Sequence, residues 1–182
     1  GETSVSQVKR IVVAAVCAAL GIVLPMAFHA IPNAGAVWLP MHIPVMICGL
    51  VAGPVSGAVT GLLAPVLSSL LTGMPATGML PQMAVELVVY GLVSGALSEH
   101  VRTGSASRDL YVSLVGAMLA GRAVRGVASA LIFSPGAYTL EAWVTTSFVT
   151  SITGIVLQLA VVVPIVVSLE RAGLVPPRYP QQ

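Results

Sequence analysis

The stretch KRIVVAAVCAALGIVLPMAF, Lys9–Phe28, opens on two cations and then runs to its end without a charge. A hydrocarbon core about 30 Å thick is crossed by a helix of about 20 apolar residues, so this segment is long enough to span it. Within it, AAVCAALG sets Ala14 four residues from Ala18 and Ala15 four residues from Ala19. Small residues at that spacing let helices approach closely in lipid, where tails supply no hydrophobic drive for association. The alanine face serves either packing within the chain or docking by another subunit. A cleavable secretory leader is not expected, because the apolar run from Val8 to Phe28 is too long and the chain beyond it stays apolar.

The rest of the chain is written in the same style. Of its 182 residues, 57% are hydrophobic and 8% charged, and the mean hydropathy is +0.98. A soluble domain carries about 25% charged residues, and a disordered chain combines low hydrophobicity with high charge. Both classes are excluded. A net charge of +2 with no basic run gives no reason to expect a nucleic-acid partner. Apolar runs at about 8–28, 37–52, 54–72, 82–97, 110–133 and 142–169 are separated by Pro, Gly and polar breaks. They predict an all-α integral membrane protein, with residues 1–182 forming a single membrane domain of six transmembrane helices. The second run contains Pro40 and Pro44 and is expected to be bent. Cys17 and Cys48 lie inside apolar runs, form no CxxC, and read as small buried hydrophobes.

Basic residues orient the bundle. With six alternating spans, Lys9, Arg10, Arg102, Arg108, Arg171 and Arg178 fall on one side, while the loops near 29–38, 73–80 and 134–141 hold no Lys or Arg. Both termini are therefore expected in the cytoplasm. Trp38 and Trp143 then lie at the outer boundary, where indole rings anchor. The outer loops suit a cap folded onto the bundle, and the polar stretch 98–109 reads as a solvated inner loop.

Ionisable groups inside a membrane are costly and point to function. Three stand out: Glu86, Arg122 and Arg125. The two arginines share a helix face, and Arg125 lies at a depth where Glu86 can pair with it. Gln82, Glu86 and Tyr90 follow a four-residue stripe, and Ser147, Ser151, Gly154 and Gln158 follow another. With Trp38 and His42 at the same end, these residues form the candidate binding set. Two guanidiniums against one carboxylate leave a surplus positive charge, which an anionic ligand would compensate. Alternatively, Glu86 bridges both arginines and only locks two helices together.

Other chemistries find no support. A phosphate-binding GxxxxGK[ST] loop is impossible where Lys9 is the only lysine, so this chain has no ATPase of its own. No Ser–His–Asp arrangement is legible, and His29 and His42 lack further metal ligands at matching spacing. No catalytic role, cofactor or metal is expected.

The alanine face, MHIPVMICGLVAGPVSGAVTGLLAPVLSSLLTGMP (Met41–Pro75), MAVELVVYGLVSG (Met83–Gly95), the Gly121–Arg122 pair and TTSFVTSITGIVLQ (Thr145–Gln158) resemble, in order and spacing, one family. It is the substrate-binding S components of energy-coupling factor (ECF) vitamin transporters, and the resemblance covers about 9–174. It implies a six-helix bundle in a prokaryotic cytoplasmic membrane, monomeric when solitary, that binds a vitamin or precursor beneath its outer loops. It also implies docking, through Ala14, Ala15, Ala18 and Ala19, onto a transmembrane coupling subunit that carries two ATPase subunits. Similarity is greatest to the pantothenate-type branch, whose substrate is a carboxylate. Pyridoxine-, hydroxymethylpyrimidine-, folate- and cobalamin-type substrates stay open. So do two other readings of the residues: a self-sufficient proton-coupled carrier using Glu86, and an assembly scaffold stapled by the ion pair.

Overall fold

A computed structural model describes residues 7–27 and 40–179. Among these the chain is helical and contains no strand. Helix α1 is Gln7–Ala27, α2 His42–Ala52, α3 Pro54–Thr72 and α4 Leu80–His100. Helix α5, Ala106–Ala128, continues into a π-helical turn, Ser129–Phe133. After a short loop come α6, Leu140–Val144, a second π-helical turn, Thr145–Val149, and α7, Ile152–Arg171.

Five of these helices (α1, α3, α4, α5 with its π turn, and α7) are long and apolar enough to cross a membrane. The sixth expected span differs. Its helix begins only at His42 and has 11 residues, about 16 Å of rise. Pro44 does not bend it. The proline lies in the first turn, where the backbone N–H has no intrahelical acceptor to lose. Trp38, His29 and the first outer loop lie outside the described residues.

The tightest packing is backbone on backbone. Gly57 and Gly61 of α3 face Gly91 and Leu87 of α4, and a Cβ added at Gly91 would fall on the Gly57 carbonyl. A Cβ at Gly49 of α2 would collide with Ser94 and the Gly91 carbonyl. Close approach of this kind is what holds helices together in lipid. Gly53, which turns α2 into α3, has φ 97°, a conformation side chains avoid. The two thiols, distant in sequence, meet where α1 packs on α2: Cys17, Cys48 and Ala52 form one small buried cluster, and both cysteines are free.

Helix α1 turns a broad apolar face outward, including Val12, Val16, Leu20 and Val23. Its alanines divide. Ala18 is buried and Ala14 half-buried inside the chain, whereas Ala15 and Ala19 are exposed.

At the end of the bundle that carries Gln7 and Tyr179, the stretch 98–109 is mostly exposed, as expected of a solvated loop, apart from the residues at its two ends. Asp109 is fully buried and Ser98 nearly so. The segment after α7 folds back as a strap: Arg178 Nε donates to Asp109 Oδ2 at 2.8 Å, and the Tyr179 hydroxyl to the same oxygen at 2.5 Å. The Thr103 N–H and hydroxyl donate to Asp109 Oδ1, and Arg178 also donates to Ser98 Oγ and the Val101 carbonyl. At the opposite end, the loops 73–79 and 134–139 are mostly exposed.

Candidate functional site

The polar residues of α2, α4, α5 and the α6–α7 stretch meet inside the half of the bundle remote from the strap. Glu86 is 2% exposed. Its Oε2 accepts from Arg125 Nη1 at 2.6 Å, and its Oε1 accepts from the Tyr90 hydroxyl at 2.6 Å. The i, i+4 spacing of Glu86 and Tyr90 on α4 produces this second contact directly. His42, at the start of α2, places Nε2 at 3.4 Å from the same Oε1, and its ring lies 5.2 Å from that of Tyr90.

Arg122 is equally buried but differently partnered. Its Nε donates to the Ser147 carbonyl at 2.7 Å, and its Nη1 to the Tyr90 hydroxyl at 2.5 Å, with a longer contact to the Met118 carbonyl. Its guanidinium carbon lies 5.7 Å from the Tyr90 ring centroid. All of these partners are uncharged. Among the described residues no carboxylate lies within ion-pair distance of Arg122, whereas Arg125, with its side chain 23% exposed, is committed to Glu86. The cluster therefore holds two guanidiniums and one carboxylate, and the excess charge resides on the deeper arginine.

The other expected residues are placed as follows. Ser147 is buried and contributes its main-chain carbonyl to Arg122. Ser151 is buried, with its hydroxyl donating locally to the Thr146 carbonyl at 2.6 Å. Gln158 is fully buried, and neither of its amide atoms has a partner. Gln82 is half-buried and makes no side-chain hydrogen bond among the described residues.

Two residues of this region lie outside the expected binding set. The Trp143 indole N–H donates to the Arg122 carbonyl at 2.9 Å and its ring occupies the space that a side chain at Gly126 would need. The spacing Trp143, Ser147, Ser151 already places it on the polar stripe. Ser129 is fully buried with an unpaired hydroxyl, and opens the π-helical turn four residues beyond Arg125.

Five membrane-length helices around a charged interior cluster define a multi-pass membrane protein whose polar site lies within the bundle. The sequence model of the family described as ECF transporter, substrate-specific component, matches residues 9–166, and the chain belongs to that family. It is thus a substrate-binding transport subunit of the cell membrane and not a catalytic one. Membership implies a small-molecule substrate and association with an ECF module of membrane and ATPase components. Among curated proteins no match was found.

Proposed function

We propose that the protein captures an anionic vitamin or vitamin precursor, pantothenate being the best candidate, and that Arg122 binds its carboxylate. One observation carries this reading: a guanidinium 2% exposed to solvent, with only neutral acceptors around it. A buried cation without a countercharge is costly, and a carboxylate ligand offsets that cost with charge-assisted hydrogen bonds. Arg125 and Glu86 form the staple that ties α5 to α4. The two roles weighed in the sequence are thus divided between the two arginines.

In this reading the bundle has six spans, both termini face the cytoplasm of a prokaryotic cell, and the site opens toward the exterior. The isolated chain is a monomer in the lipid bilayer and one domain throughout. It docks on a transmembrane coupling subunit through α1, and two ATPase subunits energise uptake. The docking contact falls to Ala15 and Ala19, because Ala18 is buried and Ala14 half-buried within the chain.

The test is radiolabelled pantothenate binding to the protein in nanodiscs. Removing one partner of a buried charge pair costs about 3–5 kcal/mol, so Arg122→Gln should weaken binding roughly 100-fold or more while leaving a folded monomer. Equal binding by Arg122→Gln and the parent overturns the assignment. Steady accumulation of substrate by the chain alone, without ATPases, overturns the partner-driven mechanism.

A further inference from the structure

The end of the bundle that carries the strap holds a cavity of about 210 Å³, remote from the Arg122 cluster. Its floor is apolar, with Leu50 and Val166 buried in it, and residues 175–177 of the strap wall it off at the end of the bundle. Besides Arg178, four charged side chains line it. Arg10, in the first turn of α1, and Glu170, in the last turn of α7, are half-buried, while Glu99 and Arg102 are exposed at the rim.

These charges are largely uncommitted. Arg10 forms no hydrogen bond or ion pair among the described residues, and its Nε is buried without a partner. Buried polar atoms in native proteins are almost always hydrogen-bonded, so this one calls for a cause. Neither Glu99 nor Glu170 has a cation within ion-pair distance among the described residues, and Arg178, whose field reaches Glu170, is already held by Asp109. The helices that carry Arg10 and Glu170 both pack on α2, yet no comparable contact joins α1 to α7. The cavity thus lies in a cleft between these two helices, at the level of the helix ends, where lipid headgroups lie.

We propose that the cavity binds a zwitterionic phospholipid headgroup of the phosphoethanolamine type, which enters from the bilayer between α1 and α7. Guanidiniums fork onto phosphate oxygens, which suits Arg10 and Arg102, and a primary ammonium offers N–H donors to Glu170 and Glu99. Two cations and two carboxylates match a headgroup that carries both charges. A headgroup with a phosphate alone meets the carboxylates as like charges, and a quaternary ammonium has no N–H to donate. The bound lipid bridges α1 to α7, which the chain itself leaves apart. This site is separate from the anion site at Arg122, and neither reading depends on the other.

The experiment places the parent, Arg10→Gln, Glu170→Gln and Arg108→Gln in nanodiscs of phosphatidylcholine mixed with equal parts of phosphatidylethanolamine and phosphatidylglycerol. Native mass spectrometry reads the lipid retained by each chain, and heating reads the melting midpoint. The parent should retain phosphatidylethanolamine roughly 10-fold over either competitor, and should melt several degrees higher with it than in phosphatidylcholine alone. Arg10→Gln and Glu170→Gln should each lose about 10-fold of that retention, as expected for one hydrogen bond to a charged group, with pantothenate binding at the far end unchanged. Both replacements are polar and at half-buried positions, so the variants stay folded. Arg108 is an exposed cation at the same end that does not line the cavity, and its variant should retain lipid as the parent does. Equal retention of the three lipids, preference for phosphatidylglycerol, no lipid in any sample, full retention by either cavity variant, or an equal loss in Arg108→Gln overturns the proposal. Soluble phosphoethanolamine, added to phosphatidylcholine nanodiscs, should leave the melting midpoint unchanged; a shift as large as the lipid's assigns the cavity to a free compound and overturns the lipid source. Full retention by Arg10→Gln together with failure to assemble with the ECF module assigns the cavity to a segment of a partner instead.

Discussion

The ion pair offers the sharpest energetic test. Glu86→Gln keeps the shape of the side chain and an acceptor for the Tyr90 hydroxyl, but it leaves Arg122 and Arg125 with no carboxylate between them. Breaking a buried pair by deleting one partner costs about 3–5 kcal/mol. The Arg125 side chain is 23% exposed and can turn part of its charge to water or a headgroup, which places the loss near the lower end, about 3 kcal/mol. For a chain of this length that corresponds to a fall in melting midpoint of roughly 10 °C. Removing both charges, in Glu86→Gln with Arg125→Met, should recover most of it, because apolar replacement of a buried pair is often neutral. Tryptophan fluorescence during heating in nanodiscs reads both variants, with monodispersity checked by size exclusion. If the single variant melts with the parent, or the double variant melts as low as the single one, Glu86 and Arg125 are not coupled and the staple does not exist.

Three further outcomes follow from the packing. Ala15→Trp and Ala19→Trp should spare ligand binding and abolish uptake in cells that carry the coupling module, whereas Ala18→Trp should lower the melting midpoint by several degrees because Ala18 is 8% exposed. Gly91→Val drives a side chain into the Gly57 carbonyl, backbone that cannot yield, and should cost more than about 3 kcal/mol, read as loss of monodisperse protein. Arg178→Ala leaves the buried Asp109 carboxylate without its cation and should free the strap, so limited proteolysis after α7 should accelerate several-fold while ligand binding at the far end is retained.

How much was legible depended on whether the signal was local. Helix α3 is bounded by Gly53–Pro54 and Gly73, so its range follows from the sequence almost to the residue. Helix α5 begins at Ala106, four residues before the apolar run, because Ala-Ser-Arg-Asp forms a first turn that hydropathy cannot register. The burial of Asp109 was invisible for a stronger reason: its cation, Arg178, is 69 residues away. The Glu86–Arg125 pair was legible because both depths could be counted from helix ends. The commitment of Ser151 to a local carbonyl was not, since it depends on the π-helical turn beside it. Stripe membership alone put Ser151, Ser147 and Gln158 on equal terms, and only contact geometry separated a satisfied hydroxyl, a useful carbonyl and an orphaned amide.

The three-residue spacing of the arginines explains why they take different roles. They stand about 4.5 Å apart along α5 and roughly 60° apart around it, near enough to share one anion yet aimed at different neighbours. Arg125, closer to the loop end, meets Glu86, while Arg122 points inward to Tyr90 and Ser147. Were Glu86 absent, an entering carboxylate would meet Arg125 first and could stop there, at a site still partly hydrated. With Arg125 already neutralised, the field that attracts an anion centres on Arg122, where burial makes each hydrogen bond electrostatically stronger than in water. If Arg122 is the anion site proposed above, the carboxylate on α4 does more than hold two helices: by neutralising the guanidinium nearer the loops, it leaves the deeper one as the place where binding energy is gained, which selects for ligands long enough to reach it.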